Sequence, residues 1–158
     1  RWTNRIEIHK DLELRLIGQL QTNKVKQSLN FFHIIETIDR EKLAIEIAKN
    51  FNVNSKTKNF YIQVNTGSEP QKSGIDPLQV DSFIKYCIED LNLPIIGLMC
   101  IPPKNEEPSM HFLLLQNIAK RNNLPELSMG MSNDYEDAIK FGATSVRIGS
   151  LLFGERKA

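Results

Sequence analysis

The chain has 158 residues, of which 25% are charged and 41% hydrophobic, a composition typical of a globular domain with its own core. Its formal net charge of +1 gives no strong attraction to nucleic acid or to a membrane surface. No apolar run approaches the roughly 20 residues of a membrane span, and the first residues lack the apolar segment of a secretory signal.

Strand-like apolar segments alternate with helical patterns along the whole chain. Between the strands, apolar residues recur at helical spacing, most clearly in Glu41–Phe51 and in Pro77–Leu91. The predicted strands are Glu13–Gly18, His33–Ile38, Phe60–Asn65, Ile95–Ile101, Glu126–Met129 and Ser145–Gly149. The helix boundaries are predicted from Asp39, from Asp76 before Pro77, and from Pro108 as starts, and from Gly142 as a stop.

The strands indicate a parallel sheet, because Ile95–Ile101 is apolar at nearly every position and must be covered on both faces. Two architectures fit this alternation: an open doubly wound sheet and a (β/α)8 barrel. The glycine-rich nucleotide motifs of the first do not occur in the sequence. We therefore predict an α/β fold, a (β/α)8 barrel in a single domain over residues 1–158. Six strands are present, and we expect the first two barrel strands to lie before Arg1.

Residues Leu127–Arg156 read as strand, turn, helix, strand and a second glycine turn. Barrels of this type often hold phosphate with the loops after their last two strands. Ser132 follows the first of these strands, and Gly149 and Ser150 follow the second, so that hydroxyls and free amides could meet an anion there. Alternatively, Ser132 or Asn133 serves only as the N-cap of the helix.

Arg147 is unusual because it lies in a strand that otherwise has the composition of core. It shares one face of the strand with Ser145 and Gly149, whereas Val146 and Ile148 share the other. We expect the apolar pair to face the helices and Arg147 to point into the barrel. A buried guanidinium needs a partner, which is either a ligand or a structural carboxylate.

Four segments together resemble the YggS/PROSC family of pyridoxal 5′-phosphate (PLP) homeostasis proteins. They are L-I-G-Q-L-Q-T-N-K (16–24), V-N-T-G-S-E-P-Q-K-S-G-I (64–75), I-G-L-M-C-I-P-P (96–103) and S-M-G-M-S…V-R-I-G-S…F-G-E-R at the end of the chain. The resemblance implies a barrel related to the N-terminal domain of alanine racemase. It also implies PLP as cofactor, a non-catalytic role, and PLP-dependent apo-enzymes as possible partners.

The resemblance assigns roles to four residues. Ser132, Gly149 and Ser150 match the residues that hold the PLP phosphate, and Arg147 matches the arginine that faces the pyridine nitrogen. A guanidinium always donates and does not give up its proton, so the nitrogen facing it stays unprotonated. An unprotonated ring is a weak electron sink, which favours holding PLP over amino-acid chemistry.

The sequence departs from the family pattern in three respects, one of which is Cys100, where the family frequently has threonine or alanine. The family's Schiff-base lysine ends the first barrel strand, and we expect that strand to lie upstream of Arg1. Arg15 stands where the family commonly has histidine. Four other lysines near family motifs are expected to be solvated side chains: Lys24, Lys26, Lys72 and Lys104.

Two further readings stay open. One is an enzyme, either racemase-like or acting on a phosphorylated metabolite, although His9, His33 and His111 have no clear catalytic setting. The other is a fragment without independent function, whose open sheet edges would invite association.

Cys87 and Cys100 lie in apolar segments and form no C-x-x-C motif. Buried free thiols are the simpler interpretation, and they predict a reducing, cytoplasmic location.

Overall fold

A computed structural model of the chain describes residue 9 and residues 11–154. Its strands form one parallel sheet in sequential order from β1 to β6. The strands are β1 (Arg15–Leu16), β2 (Ile34–Ile38), β3 (Asn59–Val64), β4 (Ile95–Cys100), β5 (Glu126–Met131) and β6 (Ser145–Arg147). The α-helices are α1 (Val25–Leu29), α2 (Glu41–Asn50), α3 (Val80–Lys85), α4 (Pro108–Arg121), α5 (Tyr135–Lys140) and α6 (Ser150–Phe153).

All six predicted strands are present, and their parallel order confirms the predicted α/β fold. Their lengths differ from the prediction mainly at the ends. β5 continues to Met131, whereas β6 ends at Arg147 and Gly149 already precedes α6. None of the described helices is long and apolar enough to cross a membrane.

Two of the predicted helix boundaries are confirmed, and at a third the residue predicted to cap the helix does not cap it. Pro108 opens α4, and Gly142 follows α5 with a φ of 85°, a left-handed conformation that glycine adopts without strain. Asp39 does not cap α2. Its carboxylate pairs with Arg40, which is itself the N-cap residue and makes no side-chain capping bond.

The helix predicted from Pro77 begins three residues later. Asp76 instead stabilises a tight turn, since its Oδ1 accepts from the amide of Leu78 at 2.8 Å and its carbonyl accepts from the amide of Gln79 at 2.9 Å. α3 follows at Val80 and continues as a π-helical turn over Tyr86–Asp90.

The main hydrophobic core lies between the sheet and the helices that connect its strands. Alternate residues of the central strands point toward the helices, as the pleat of a strand requires. The largest fully buried members of this core are Phe60, Phe112, Leu29, Ile35, Ile38, Leu43, Ile47, Ile62, Leu98 and Leu115.

The opposite face of the sheet is concave. Ile34, Tyr61 and Met99 form a smaller buried cluster there. On the same face, the Ser128 hydroxyl on β5 donates to Glu36 Oε2 on β2 at 2.5 Å. β3 and β4 lie between these strands, and in a flat sheet three interstrand steps would separate β2 from β5 by about 14 Å. The hydrogen bond therefore requires a curled sheet, and the described strands form part of a (β/α) barrel.

Candidate functional site

Ser132 joins the two turns that were predicted to meet at the end of the chain. Its Oγ accepts hydrogen bonds from the backbone amides of Gly149 at 3.2 Å and Leu151 at 3.3 Å. The turn after β5 and the turn after β6 therefore lie side by side at the carboxyl ends of their strands, which is the predicted arrangement.

The alternative in which Ser132 or Asn133 caps the following helix is wrong. Asp134 is the N-cap residue of α5, and its carboxylate accepts from the amide of Met131 at 2.6 Å. Because Asp134 closes the turn after β5, the hydroxyl of Ser132 is available to the neighbouring turn.

Gly130 allows β5 to approach α5 closely just before this turn. Its φ is 91°, and a Cβ added to it would lie 2.6 Å from the Cβ of Ala138. A side chain at this position would be strained and would clash with the helix. The pairing of β5 with β6 also shifts register between Ser128 and Met131.

A cavity of about 510 Å³ lies over the two turns. One wall is the loop after β4, where Lys104 is exposed and Pro103 is buried. Gly149 leaves space, because no atom lies within 4 Å of the position that its Cβ would take. The other lining residues are Ile101, Pro102, Glu106, Pro108, Met131, Ser132, Asn133, Asp134 and Ser150.

Arg147 points to the concave face, as predicted. Its Nη1 donates to the Ser128 hydroxyl at 2.8 Å and its Nη2 donates to the Cys100 carbonyl at 2.7 Å. The structural alternative, a direct salt bridge to a carboxylate, is not found within residues 11–154. Burial lowers the pKa of the guanidinium, and the nearby Cys100, Glu36 and Asp134 oppose this effect.

Glu36 connects to this arrangement through Ser128, and it is only 1% exposed. Its Oε2 accepts from Ser128, and its Oε1 lies 3.1 Å from Nη1 of Arg15. The same Nη1 donates to the hydroxyl of Tyr61 at 3.4 Å. Burial would lower the pKa of Arg15, but hydrogen bonds to Tyr61, Glu36 and Glu13 raise it above its ordinary value. Burial raises the pKa of Tyr61.

Sequence reasoning missed Glu36 and Ser128. The signal for Glu36 was present, because it is a charged residue inside the apolar strand His33–Ile38, and a buried charge needs a partner. Ser128 carried no comparable signal, since a small hydroxyl residue is common in strands that face a protein interior.

The histidines and lysines considered as alternatives have other partners or are exposed. His33 accepts from the amide of Leu14 at 2.8 Å, and burial lowers its pKa. His111 Nε2 lies 3.2 Å from Glu106 Oε2. Lys72 contacts the carboxylate of Glu69 at 2.5 Å rather than standing free in solvent.

The family model described as the N-terminal domain of alanine racemase matches residues 7–157. The chain belongs to this family. A pyridoxal phosphate homeostasis protein of Aquifex aeolicus (strain VF5) is 44% identical over 156 residues, covering 93% of this chain and 68% of the relative. The chain spans about two thirds of the length of such curated relatives, 68% of one and 65% of another.

Solved structures agree with these matches. PipY of Synechococcus elongatus PCC7942, solved without PLP, has a TM-score of 0.83 and 28% identity, covering 96% of this chain and 77% of PipY. The structure of PipY with PLP bound has a TM-score of 0.79 and 27% identity, with 96% and 75% covered. These comparisons confirm the resemblance to the YggS/PROSC family and the barrel fold predicted from the sequence.

Proposed function

We propose that this chain binds PLP in a homeostatic role, as its relatives' name states for them. Ser132, Gly149 and Ser150 would hold the phosphate, and Arg147 would face the pyridine nitrogen. The observation that carries the proposal is the position of Arg147, a half-buried guanidinium held on the concave face at the same end of the sheet as the two turns.

The donors at the site fit the two polar ends of PLP. The turn contains the hydroxyls of Ser132 and Ser150 and the amides of Gly149 and Leu151, which donate to Ser132 in this structure. Hydroxyls and amides of this kind are suitable partners for a phosphate dianion. Gly149 has open space beside it, so a phosphate oxygen can come close to the backbone. Arg147 has five N–H groups and uses two donor atoms on Ser128 and Cys100, which leaves donors for a ring nitrogen.

Arg147 also determines what the bound cofactor can do. PLP supplies an aldehyde and an electron-accepting ring, and the ring accepts electrons best when its nitrogen is protonated. A guanidinium keeps its proton and offers only donors, so it holds this nitrogen in the unprotonated form. The site therefore favours retention of PLP over transformation of an amino acid.

We further propose that the chain forms a single PLP-binding domain that is non-catalytic and located in the cytoplasm. In this proposal it passes the cofactor to PLP-dependent apo-enzymes. The relatives' shared name supports a homeostatic role over an enzymatic one. The buried free thiols of Cys87 and Cys100 support a reducing compartment.

Equilibrium dialysis of the purified chain against PLP tests this function. We expect saturable, one-to-one binding that inorganic phosphate displaces, because both ligands need the turn amides. A cooperative thermal transition, measured beforehand, shows that the chain is folded and decides against a fragment without independent structure. Folded protein that retains no PLP would overturn the proposal.

A further inference from the structure

We infer that Glu36 is a positioning residue for Arg147 and acts on it through the hydroxyl of Ser128. The inference rests on the proposed PLP site and adds to it two residues, Glu36 and Ser128, that hold Arg147 in position. The three residues come from β2, β5 and β6 and form one continuous chain of contacts across the concave face.

The direction of each hydrogen bond in this chain is fixed. A serine hydroxyl has one proton, and Ser128 places it on Glu36 Oε2 at 2.5 Å. The hydroxyl oxygen then has only lone pairs for Arg147, whose Nη1 donates to it at 2.8 Å. The carboxylate thus sets the hydroxyl as an acceptor, which is the role that a guanidinium requires.

A second acceptor fixes the plane of the guanidinium. Nη2 of Arg147 donates to the carbonyl of Cys100 at 2.7 Å, and this carbonyl belongs to the last residue of β4. With one acceptor on Nη1 and another on Nη2, the planar group cannot turn without losing a bond. Its remaining donors are therefore oriented before a ligand arrives.

Glu36 is itself held from the other side. Arg15 Nη1 lies 3.1 Å from its Oε1, while Ser128 occupies its Oε2. Both oxygens are engaged by different partners, so the carboxylate has little freedom to rotate. It also supplies a buried negative charge between two arginines, one in direct contact and the other reached through Ser128.

Glutamine at position 36 would keep the size and shape of the side chain, but it would remove the carboxylate that orients the Ser128 hydroxyl. With its oxygen toward Arg15, the amide would present its NH2 group to Ser128. The hydroxyl oxygen would then use one of its two lone pairs to accept from the amide. Its proton, having lost the acceptor at Glu36, would be free to take the direction in which the oxygen now accepts from Arg147. We expect a less ordered guanidinium and weaker PLP binding, with the phosphate turn left intact.

The test compares dissociation constants for PLP and for inorganic phosphate in Glu36→Gln, Ser128→Ala and the double variant. We expect each single change to weaken PLP binding about tenfold, the effect of losing one hydrogen bond to a charged group. The double variant should be no weaker than the more affected single variant, because both changes interrupt one chain. Phosphate affinity should stay within about twofold, since phosphate does not reach Arg147.

Asp81→Asn is the matched control, because Asp81 is exposed and pairs with Arg121 on the outer surface. Ser128→Ala removes a single oxygen atom and carries the test where Glu36→Gln does not fold. Unchanged PLP affinity in the folded variants, additive losses, or an equal loss of phosphate affinity would overturn the inference while leaving PLP binding itself established. If the unmodified folded chain binds no PLP, the proposed function fails and the inference fails with it.

Discussion

The hydroxyl oxygen of Ser132 accepts a hydrogen bond from the backbone amide of Gly149 at 3.2 Å. This bond connects the turn after β5 to the turn after β6, and Ser132 and Gly149 both line the cavity. A phosphate in the cavity would share these donors with Ser132. We therefore expect the serine to contribute both to the shape of the turn and to its affinity for an anion.

Replacing Ser132 with alanine should weaken the binding of both PLP and inorganic phosphate by about tenfold, the effect of about one charge-assisted hydrogen bond. Stability should fall by less than about 1 kcal/mol, because the site is partly exposed. Equilibrium dialysis with both ligands checks the first effect and urea denaturation the second. Ser82→Ala on the outer surface serves as control. Phosphate affinity equal to that of the unmodified chain would refute this role.

Arg147→Glu should reduce PLP affinity by more than tenfold, which corresponds to a loss of about 1.4 kcal/mol or more of binding free energy. The new carboxylate would accept rather than donate at the ring nitrogen, and it would lie near Ser128 and the buried carboxylate of Glu36. We therefore also expect a lower midpoint in urea. Arg121→Glu reverses a charge on the outer surface and should affect PLP binding little. If a folded Arg147 variant retains PLP normally, the assignment of this residue is wrong.

Gly97→Ala should destabilise the fold by about 1–3 kcal/mol, the usual effect of overpacking. An added Cβ would lie 2.4 Å from the carbonyl oxygen of Glu126 and 2.7 Å from the ring of Tyr61. Both neighbours belong to the sheet, so neither can move away easily. Gly18→Ala is the control, since no atom lies within 4 Å of its added Cβ. Equal urea midpoints for the two variants would contradict the steric explanation.

The two cysteines should resist alkylation in the native state and make stability fall at high pH. Burial raises the pKa of each thiol to about 12 from an ordinary value of 9.0. Between these values the unfolded chain releases thiol protons that the folded chain keeps, so unfolding becomes easier as pH rises. The stabilisation is complete below pH 9 and declines toward pH 12, by up to about 1.4 kcal/mol per thiol and pH unit. Iodoacetamide labelling with and without urea at pH 8, and urea melts from pH 8 to 11, measure both effects. Rapid labelling of native Cys87 and Cys100 would contradict their burial.

Strand positions were predictable because both-sided burial leaves a continuous apolar run, as in Ile95–Ile101, and the structure places β4 there. The face of the sheet on which Arg147 lies was predictable from the alternation of side chains along β6. The residues that cap the helices were harder to predict. Asp39 stands before α2 and Asn133 and Asp134 stand before α5, and all three are chemically able to cap. The outcome depends on competing partners, because Asp39 pairs with Arg40 and Asp134 accepts from the amide of Met131.

The contacts that hold Arg147 were not predictable for a different reason. Glu36 and Ser128 are 92 residues apart, and no local pattern connects them. Their contact follows from the curvature of the sheet, which depends on all the strands between them. The residues that we propose to face a ligand were predicted from the sequence, whereas the structure was needed to find the residues that contact them.

The bond between Glu36 and Ser128 also bears on how the chain folds. In the sheet each strand pairs with the strand before it in sequence, so the sheet can grow by adding one β/α unit at a time as the chain is synthesised. The Glu36–Ser128 contact cannot form until β3 and β4 have been added and the sheet has curled. It should therefore appear late, with small changes in folding rate and larger increases in unfolding rate when it is removed. Because Arg147 follows Ser128 in sequence, its hydrogen bond to Ser128 can form only after β2 and β5 have been brought together and the hydroxyl of Ser128 has been oriented by Glu36.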